Sequence, residues 1–490
     1  MSLELFPGKH LFVDDHCIEE LRYAQRVLNQ PVKYESNPVL AGELPWEKRT
    51  VHLNSLHFDR ERRRFRAWYD AAAVNVIGTR ILVKDNPPTE VHESHICYAE
   101  SDDCISWERP NLGIAEQERH PGNNICIPSM RPPGRTSLAH LADDPFETDP
   151  ARRYKLIYLD QAEEGKVGGG LAPDSKLRLH AHSADGIHWQ HLPWQREHLA
   201  RLFGVIAYLD ETPTGPIDPD ARFILYGQRG SRWKTRQIGR RDSNDFVNWS
   251  ANRPVLESRL SDQPAGLEFY RMEGSVVNRT YAGLHLGMLG AYHADLRRKF
   301  DPARNDGVTE CQLAYSRDTV RWERWTNPFL ERGEPGAFDY GGVYCHFPAI
   351  TDDKLYFMYG GESNRHGVKS TASVGLATMR LDGFVSVETE GFMEGILVTR
   401  PHLWRASAVR LNLDSMRGSV RVQLQNEQGQ AFEGFGTSDC DPLSTDALDT
   451  AVTWGPRGSD VRALGGQMVA LKVTIAPEDK LFSYTLVPET

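Results

Sequence analysis

Long apolar runs are missing from this chain of 490 residues. No stretch approaches the roughly 20 apolar residues that a membrane-spanning helix needs. The opening Met1–His10 holds no apolar core of a secretory signal. Cysteine is sparse: there are seven, an odd number, and no C-x-x-C pair occurs. That argues against a disulfide framework or a zinc ribbon and sets the expectation of a reducing, cytoplasmic setting. Positive charge is in deficit, with a net charge of −10, which disfavours nucleic acid or an anionic membrane as partner. Helical periodicity is nearly absent. What remains is 40% hydrophobic and 25% charged, the balance of a soluble globular protein, and its length suits two or three domains.

One heptad recurs four times as Ser-x-Asp-x-[Ile/Val]-x-Trp. The copies run Ser101–Trp107, Ser183–Trp189, Ser243–Trp249 and Ser316–Trp322, with a worn fifth at Arg380–Ser386. Ser and Asp at this spacing suit a tight turn in which their side chains accept backbone N–H groups. Ile/Val and Trp are expected to fold back between neighbouring units. The stretch resembles the Asp-box of sialidases in part, but is shorter before the Trp.

Each copy follows a strand-like run: His95–Glu100, Leu177–His182, Arg236–Arg241, Cys311–Tyr315 and Val374–Met379. Aromatic alternating runs lie upstream of these, among them Tyr281–His285 and Leu355–Tyr359. Shorter apolar runs precede those in turn, including His52–Asp59, Gly274–Asn278 and His346–Asp352. The unit is therefore strand, turn, strand, loop, strand, Asp-turn, strand. Five such units over 51–390 predict an all-β fold, a five-bladed β-propeller, in which radial packing protects strand edges. A long sandwich or a solenoid is the alternative. Residues 391–490 alternate as strands with turn-like NEQGQ and APED, which predicts a C-terminal β-sandwich of jelly-roll type. Residues 1–50 are expected to be a lead-in packing on the propeller.

Five blades followed by a sandwich, with LFVDD at Leu11–Asp15, Pro45-Trp46-Glu47 and Ala337–Gly342, resembles the furanosidase-like glycoside hydrolases, the relatives of families 32 and 43. The resemblance implies cleavage of a glycosidic bond. The catalytic motifs of family 32 do not carry over. Blade one opens His52-Leu53-Asn54-Ser55 without the family's Asp, and Glu310-Cys311 falls on a third strand.

Position must then locate the site. In a propeller the innermost strands line a channel, and ligands bind where those strands begin. Glycoside cleavage uses two carboxyl groups, one protonated and one ionised. Glu47, Glu268 and Asp339 are the carboxylates expected at the channel mouth. Arg49, His52, Asn54, Tyr270, Arg271, His346, Glu362 and His366 are the expected substrate-binding set, and Asn123, Asn124, Arg131, Arg135, Arg201 and Glu273 lie on the same rim. Each carboxylate has a plainer reading: Glu47 as a loop cap, Glu268 as an ion-pair partner of Arg271, Asp339 as a turn residue. Four histidines at 180, 182, 188 and 191 read as surface or packing residues. No cofactor is expected, and a structural calcium ion is compatible with the channel. The expected partner is a carbohydrate, and the oligomeric state stays open. A non-catalytic carbohydrate-binding propeller and an oligosaccharide phosphorylase or lyase are the alternatives, the phosphorylase drawing on Arg49, Arg271, His346 and His366 to hold phosphate.

Overall fold

The computed structural model describes residues 8–72, 94–115, 121–128, 137–161, 176–192, 218, 220–230, 235–259, 262, 266–273, 281, 283–294, 307–366, 368, 370–416 and 418–489. The fold is all-β. Among these residues helical geometry is confined to short 3₁₀ turns, and no helix is long and apolar enough to cross a membrane. All seven cysteines are buried free thiols.

Five antiparallel units follow one another. The first holds Thr50–Asp59, Arg64–Ala72 and Ser94–Ser101, with Ile125–Ile127 at its outer edge. The second holds Ser137–Asp143, Tyr154–Gln161, Lys176–Ser183 and Gln190–His191. In the third, Phe223–Gly230, Arg236–Ser243 and Arg253–Leu256 are described, and the expected first strand after Gly204 lies outside the described residues. The fourth holds Leu267–Glu273, His285–Ala294, Gly307–Ser316 and Glu323–Arg324. The fifth holds Gly342–Cys345, Ala349–Ile350, Lys354–Glu362 and Ala372–Arg380. Val32–Lys33, from ahead of the first unit, completes its edge.

Apolar side chains join each unit to the next. Trp68 and Tyr98 pack with Leu156 and Tyr158; Ile157 packs with Phe223 and Leu225; Ile224 and Tyr226 pack with Phe269 and Leu289. Leu313 packs with Val343 and Phe357, and Met358 and Val374 return to Leu53 and Tyr69 of the first unit.

The heptads are the turns before each outer strand. In all four full copies the Asp Oδ1 accepts the N–H groups two and three residues on, as in Asp318 from Val320 (2.9 Å) and Arg321 (2.7 Å). The fourth residue is left-handed: Cys104, Gly186, Phe246 and Thr319 have φ of 62°, 76°, 64° and 62°. Its carbonyl turns outward to the preceding unit. Gly186 O accepts Trp68 Nε1 (2.7 Å), Phe246 O meets His180 Nδ1 (3.1 Å), and Thr319 O accepts the Tyr226 hydroxyl (3.2 Å). Burial of Asp103, Asp245 and Asp318 pushes their carboxyls up, but the backbone donors outweigh it and hold all three below 3.8.

The worn copy is built differently. Left-handed backbone falls on Asp382 itself (φ 63°), and its fully buried carboxylate binds Lys9 Nζ (2.7 Å), the Tyr281 hydroxyl (2.6 Å), Asn412 Nδ2 (3.2 Å) and Ser483 Oγ (3.1 Å). It thereby joins the fourth unit to both chain ends. Those ends form two further sheets. In one, Ala406–Asp414 lies between Asp446–Ala451 and Lys480–Pro488, followed by Val385–Thr389 and Ala24–Leu28, with Gly8–Leu11 beside Lys480–Pro488. The other runs Ile18–Arg22, Gly395–Thr399, Met468–Ile475, His402–Leu403, with Arg421–Gln425 beside Met468–Ile475. Residues before Thr50 thus divide between these sheets and the edge of the fifth unit.

In the fourth unit the strands differ from the expected ones. The first strand described is Leu267–Glu273, and the expected strand Gly274–Asn278 lies outside the described residues. The second strand begins at His285, because Tyr281 and Leu284 close a tight turn through Gly283 (φ 76°). Glu268, Tyr270, Arg271 and Glu273 are therefore members of that first strand.

Asp318→Ala leaves two backbone N–H groups without their acceptor and is expected to cost about 1–3 kcal/mol at pH 7 in denaturant unfolding. The folded carboxyl sits below its ordinary value. Its contribution is complete above pH 3.8 and is lost as pH falls through the folded value, so the deficit narrows in acid. Asp382→Ala strands the Lys9 ammonium beside buried partners and is expected to cost about 3–5 kcal/mol by the same measurement.

Candidate active site

Each innermost strand described carries one residue too many for its neighbour. In the first unit Leu53 and Ser55 oppose Tyr69 and Trp68, which leaves Asn54 as the extra residue. In the fourth, Phe269 and Arg271 oppose Ala291 and Gly290, leaving Tyr270. The second unit has the same irregularity between Ser137 and His140. In the fifth, four steps from Cys345 to Ala349 face three from Tyr359 to Tyr356. A bulge of this kind resets the two-residue alternation. Core positions in the fourth unit are Leu267, Phe269 and Met272, spaced by two and then three. Glu268, Tyr270, Arg271 and Glu273 are left on the other side. The first unit repeats this with Val51, Leu53 and Leu56 in the core.

These strands meet around Arg271. Its guanidinium is ion-paired with Glu273 through Nη2 and Oε1, donates to His346 Nε2 (3.4 Å), and lies 5.8 Å from the Tyr344 ring centroid. Glu273 Oε2 is 3.9 Å from His346 Nδ1. The His346 ring also bonds to the Leu53 backbone and feels His140, so four units contribute to one cluster. Burial first, then Arg271, pushes His346 down to about 3, so the ring is neutral at pH 7. Burial pushes Glu273 up, but Arg271, His346 and His140 together outweigh it and hold the carboxyl at about 2.

Tyr270 extends the cluster. Its hydroxyl meets His366 Nε2 at 3.1 Å, and its ring lies 5.9 Å from Tyr292 and 6.0 Å from Tyr344. Glu362 ends the strand Lys354–Glu362, opposite Gly342. Its charge acts on both Tyr270 and Tyr344, while no hydrogen bond to its carboxyl is made among the described residues. Burial alone pushes Glu362 up to about 7. Two carboxyl groups, Glu273 under Arg271 and Glu362 acting on Tyr270 and Tyr344, are thus driven in opposite directions, one ionised and the other half-protonated near neutrality.

The expected catalytic carboxylates lie elsewhere. Glu47, fully buried, accepts the Tyr69 hydroxyl (2.6 Å) and pairs with Arg109 (3.3 Å). Trp46 and Asn124 close the same network. Asp339 pairs with Lys33 (2.6 Å) and accepts the Tyr359 hydroxyl (3.2 Å). Glu268 pairs with Arg236 (2.9 Å), not with Arg271. Arg236 in turn lies over Tyr270 and Tyr292, so Glu268 borders the cluster from behind its aromatic wall.

Of the expected binding set, Tyr270, Arg271, His346, Glu362 and His366 come together. Asn54 donates to Asp70 Oδ1 (2.6 Å). His52 stands opposite Asp70 in the same ladder, and the Arg49 backbone bonds to Ala72. Arg131, Arg135 and Arg201 lie outside the described residues. The four histidines of the second unit go to four separate partners: Phe246 O, Gln190, Asp185 and Tyr158. Among the described residues no group of three metal-ligating side chains is placed to hold an ion. Glu273 and His140 were missed as principal residues. The two-then-three spacing of Leu267, Phe269 and Met272 was the available signal.

No protein-family profile and no curated protein matches the chain. Solved structures similar to it include a β-1,2-mannobiose phosphorylase from Listeria innocua in complex with β-1,2-mannobiose, at 11% identity over 72% of this chain and 97% of that one, TM-score 0.46. A glycosyl hydrolase from Bacteroides ovatus is 12% identical over 71% of this chain and 94% of that one, TM-score 0.40. These likenesses are distant and carry no residue correspondence.

The raised Glu362 carboxyl gives a stability test. A folded value near 7 against an ordinary 4.5 means stability is fully present below pH 4.5 and is lost as pH rises through 7. The full span amounts to something on the order of 3 kcal/mol. Glu362→Gln, which mimics the neutral acid, is expected to raise the unfolding midpoint at pH 8 and leave it unchanged at pH 4.

Proposed function

We propose that the chain is a glycoside-cleaving hydrolase, built as a five-bladed β-propeller from Thr50 to Arg380 with a β-sandwich formed by strands before and after it, on the plan of the furanosidase-like glycoside hydrolases. The five packed units, the last returning to the first, support the propeller. The observation that carries the activity is the pair Glu362 and Glu273, driven apart where the innermost strands converge. Glu362, protonated in part at pH 7, donates its proton to the glycosidic oxygen as the bond to the anomeric carbon breaks. Glu273 stays ionised under Arg271 and acts on the anomeric centre, directly or through a water. Tyr270, Tyr344 and His366 supply ring faces and polar tips for a sugar.

Phosphorolysis is the second reading, and it needs free cations. Arg271 is committed to Glu273 and His346 is uncharged at neutral pH, which favours water as the acceptor. Aryl glycosides of arabinose, xylose, fructose, mannose and galactose, assayed with and without phosphate, test the proposal. Turnover without phosphate is expected for at least one, falling as pH rises through about 7 as Glu362 loses its proton. Glu362→Gln and Glu273→Gln are each expected to lower kcat by about 10²–10⁴. Turnover that depends on phosphate overturns the hydrolase reading. Full activity in either variant removes that residue from the mechanism.

A further inference from the structure

We propose that the C-terminal sheets carry a second binding site, a groove for a neutral saccharide separate from the channel cluster. The groove has a volume of about 920 Å³ and is lined by Arg421, Gln423, Phe432, Glu433, Thr437 and Asp439. It lies between the strand Arg421–Gln425 and the loop 430–439 that folds back over it.

The loop is preformed. Phe432 N bonds to Leu424 O (3.0 Å), Leu424 N to Phe435 O (3.0 Å), Phe435 N to Phe432 O (2.9 Å) and Asp439 N to Gly436 O (3.1 Å). Phe435 anchors it in the core, 5.4 Å from the Trp454 ring with Arg457 over its other side. Little ordering is left for a ligand to impose, which favours binding. Phe432 is half-buried against this core and offers a ring face at the groove.

Polar groups around that ring are oriented but not used up. Thr437 Oγ1 donates to Gln423 Oε1 (3.1 Å), and Gln423 Nε2 donates to Gln425 Oε1 (3.0 Å). This relay fixes the Gln423 amide while leaving one N–H and one lone pair for a ligand. Arg421 spends one N–H on Cys440 O (2.6 Å), and Asp439 Oδ2 accepts only Gly436 N (2.9 Å). Donors and acceptors thus alternate beside an aromatic face, matching the hydroxyls and the apolar C–H face of a pyranose or furanose ring. Two cations, Arg421 and the Arg457 beside Gly434, stand against the exposed carboxylates of Glu433 and Asp439, so the groove carries no net charge. That balance disfavours an anionic ligand and leaves a neutral polyol as the fitting class.

The test uses the full chain carrying Glu362→Gln, so that no probe is consumed. Xylose, arabinose, galactose and mannose, with their β-linked disaccharides, are titrated by calorimetry and by saturation-transfer NMR. Saturable binding of at least one probe is expected, weakened roughly tenfold or more by Phe432→Ala and by Gln423→Leu. Two variants are used so that a folding defect in one leaves the other to decide. No binding, or binding that both groove variants leave intact, overturns the proposal. Hydrolysis of aryl glycosides by Phe432→Ala reports on the channel alone, so failure of the groove and failure of the hydrolase reading are separately visible.

Discussion

The carbonyl of the fourth heptad residue is the contact on which the architecture rests. It leaves its own turn because that residue is left-handed, and the Asp beneath it holds the turn in that shape by taking two backbone N–H groups. In the third and fourth units this oxygen receives two donors, the turn's own Trp and a side chain of the preceding unit: Trp249 and His180 at Phe246, Trp322 and Tyr226 at Thr319. A buried carbonyl with both lone pairs used gains its full hydrogen-bonding capacity. The turns at Gly186, Phe246 and Thr319 thereby tie each of these units to the one before it.

What happens at the Arg271 cluster depends on a second constraint, the extra residue in each innermost strand. A regular strand after Phe269 would direct Arg271 into the core and Met272 outward. The bulge reverses this and sets Tyr270, Arg271 and Glu273 on the open side. Arg271 then fixes the chemistry of the cluster. It keeps Glu273 ionised against burial and helps to keep His346 neutral. Glu362, with burial and no compensating cation, goes the other way. Two carboxyl groups of the same type acquire opposite roles from their surroundings alone.

The worn fifth heptad shows the same motif turned to another use. Without Ser or Trp, Asp382 no longer makes the repeated turn. It binds Lys9, Tyr281, Asn412 and Ser483 instead, and the fourth and fifth units share one apolar core with the two terminal sheets. The first strands of the chain are needed to build those sheets, so neither end is peripheral to the fold.

The repeat was legible in the sequence because the heptad is local: its Ser, Asp and Trp act within seven residues, and the aromatic runs upstream alternate. The same local reading placed Tyr270, Arg271, His346, Glu362 and His366 near one another. It did not foresee the partners of the expected carboxylates because partnership is not local. Glu47 finds Arg109, Asp339 finds Lys33 and Glu268 finds Arg236, across gaps of 62, 306 and 32 residues. Residue type and spacing determined the all-β class and the repeated turns. Only the tertiary structure decided which acid is paired with a cation and which is left bare, because a carboxyl's ionisation is set by the charges and water around it in space.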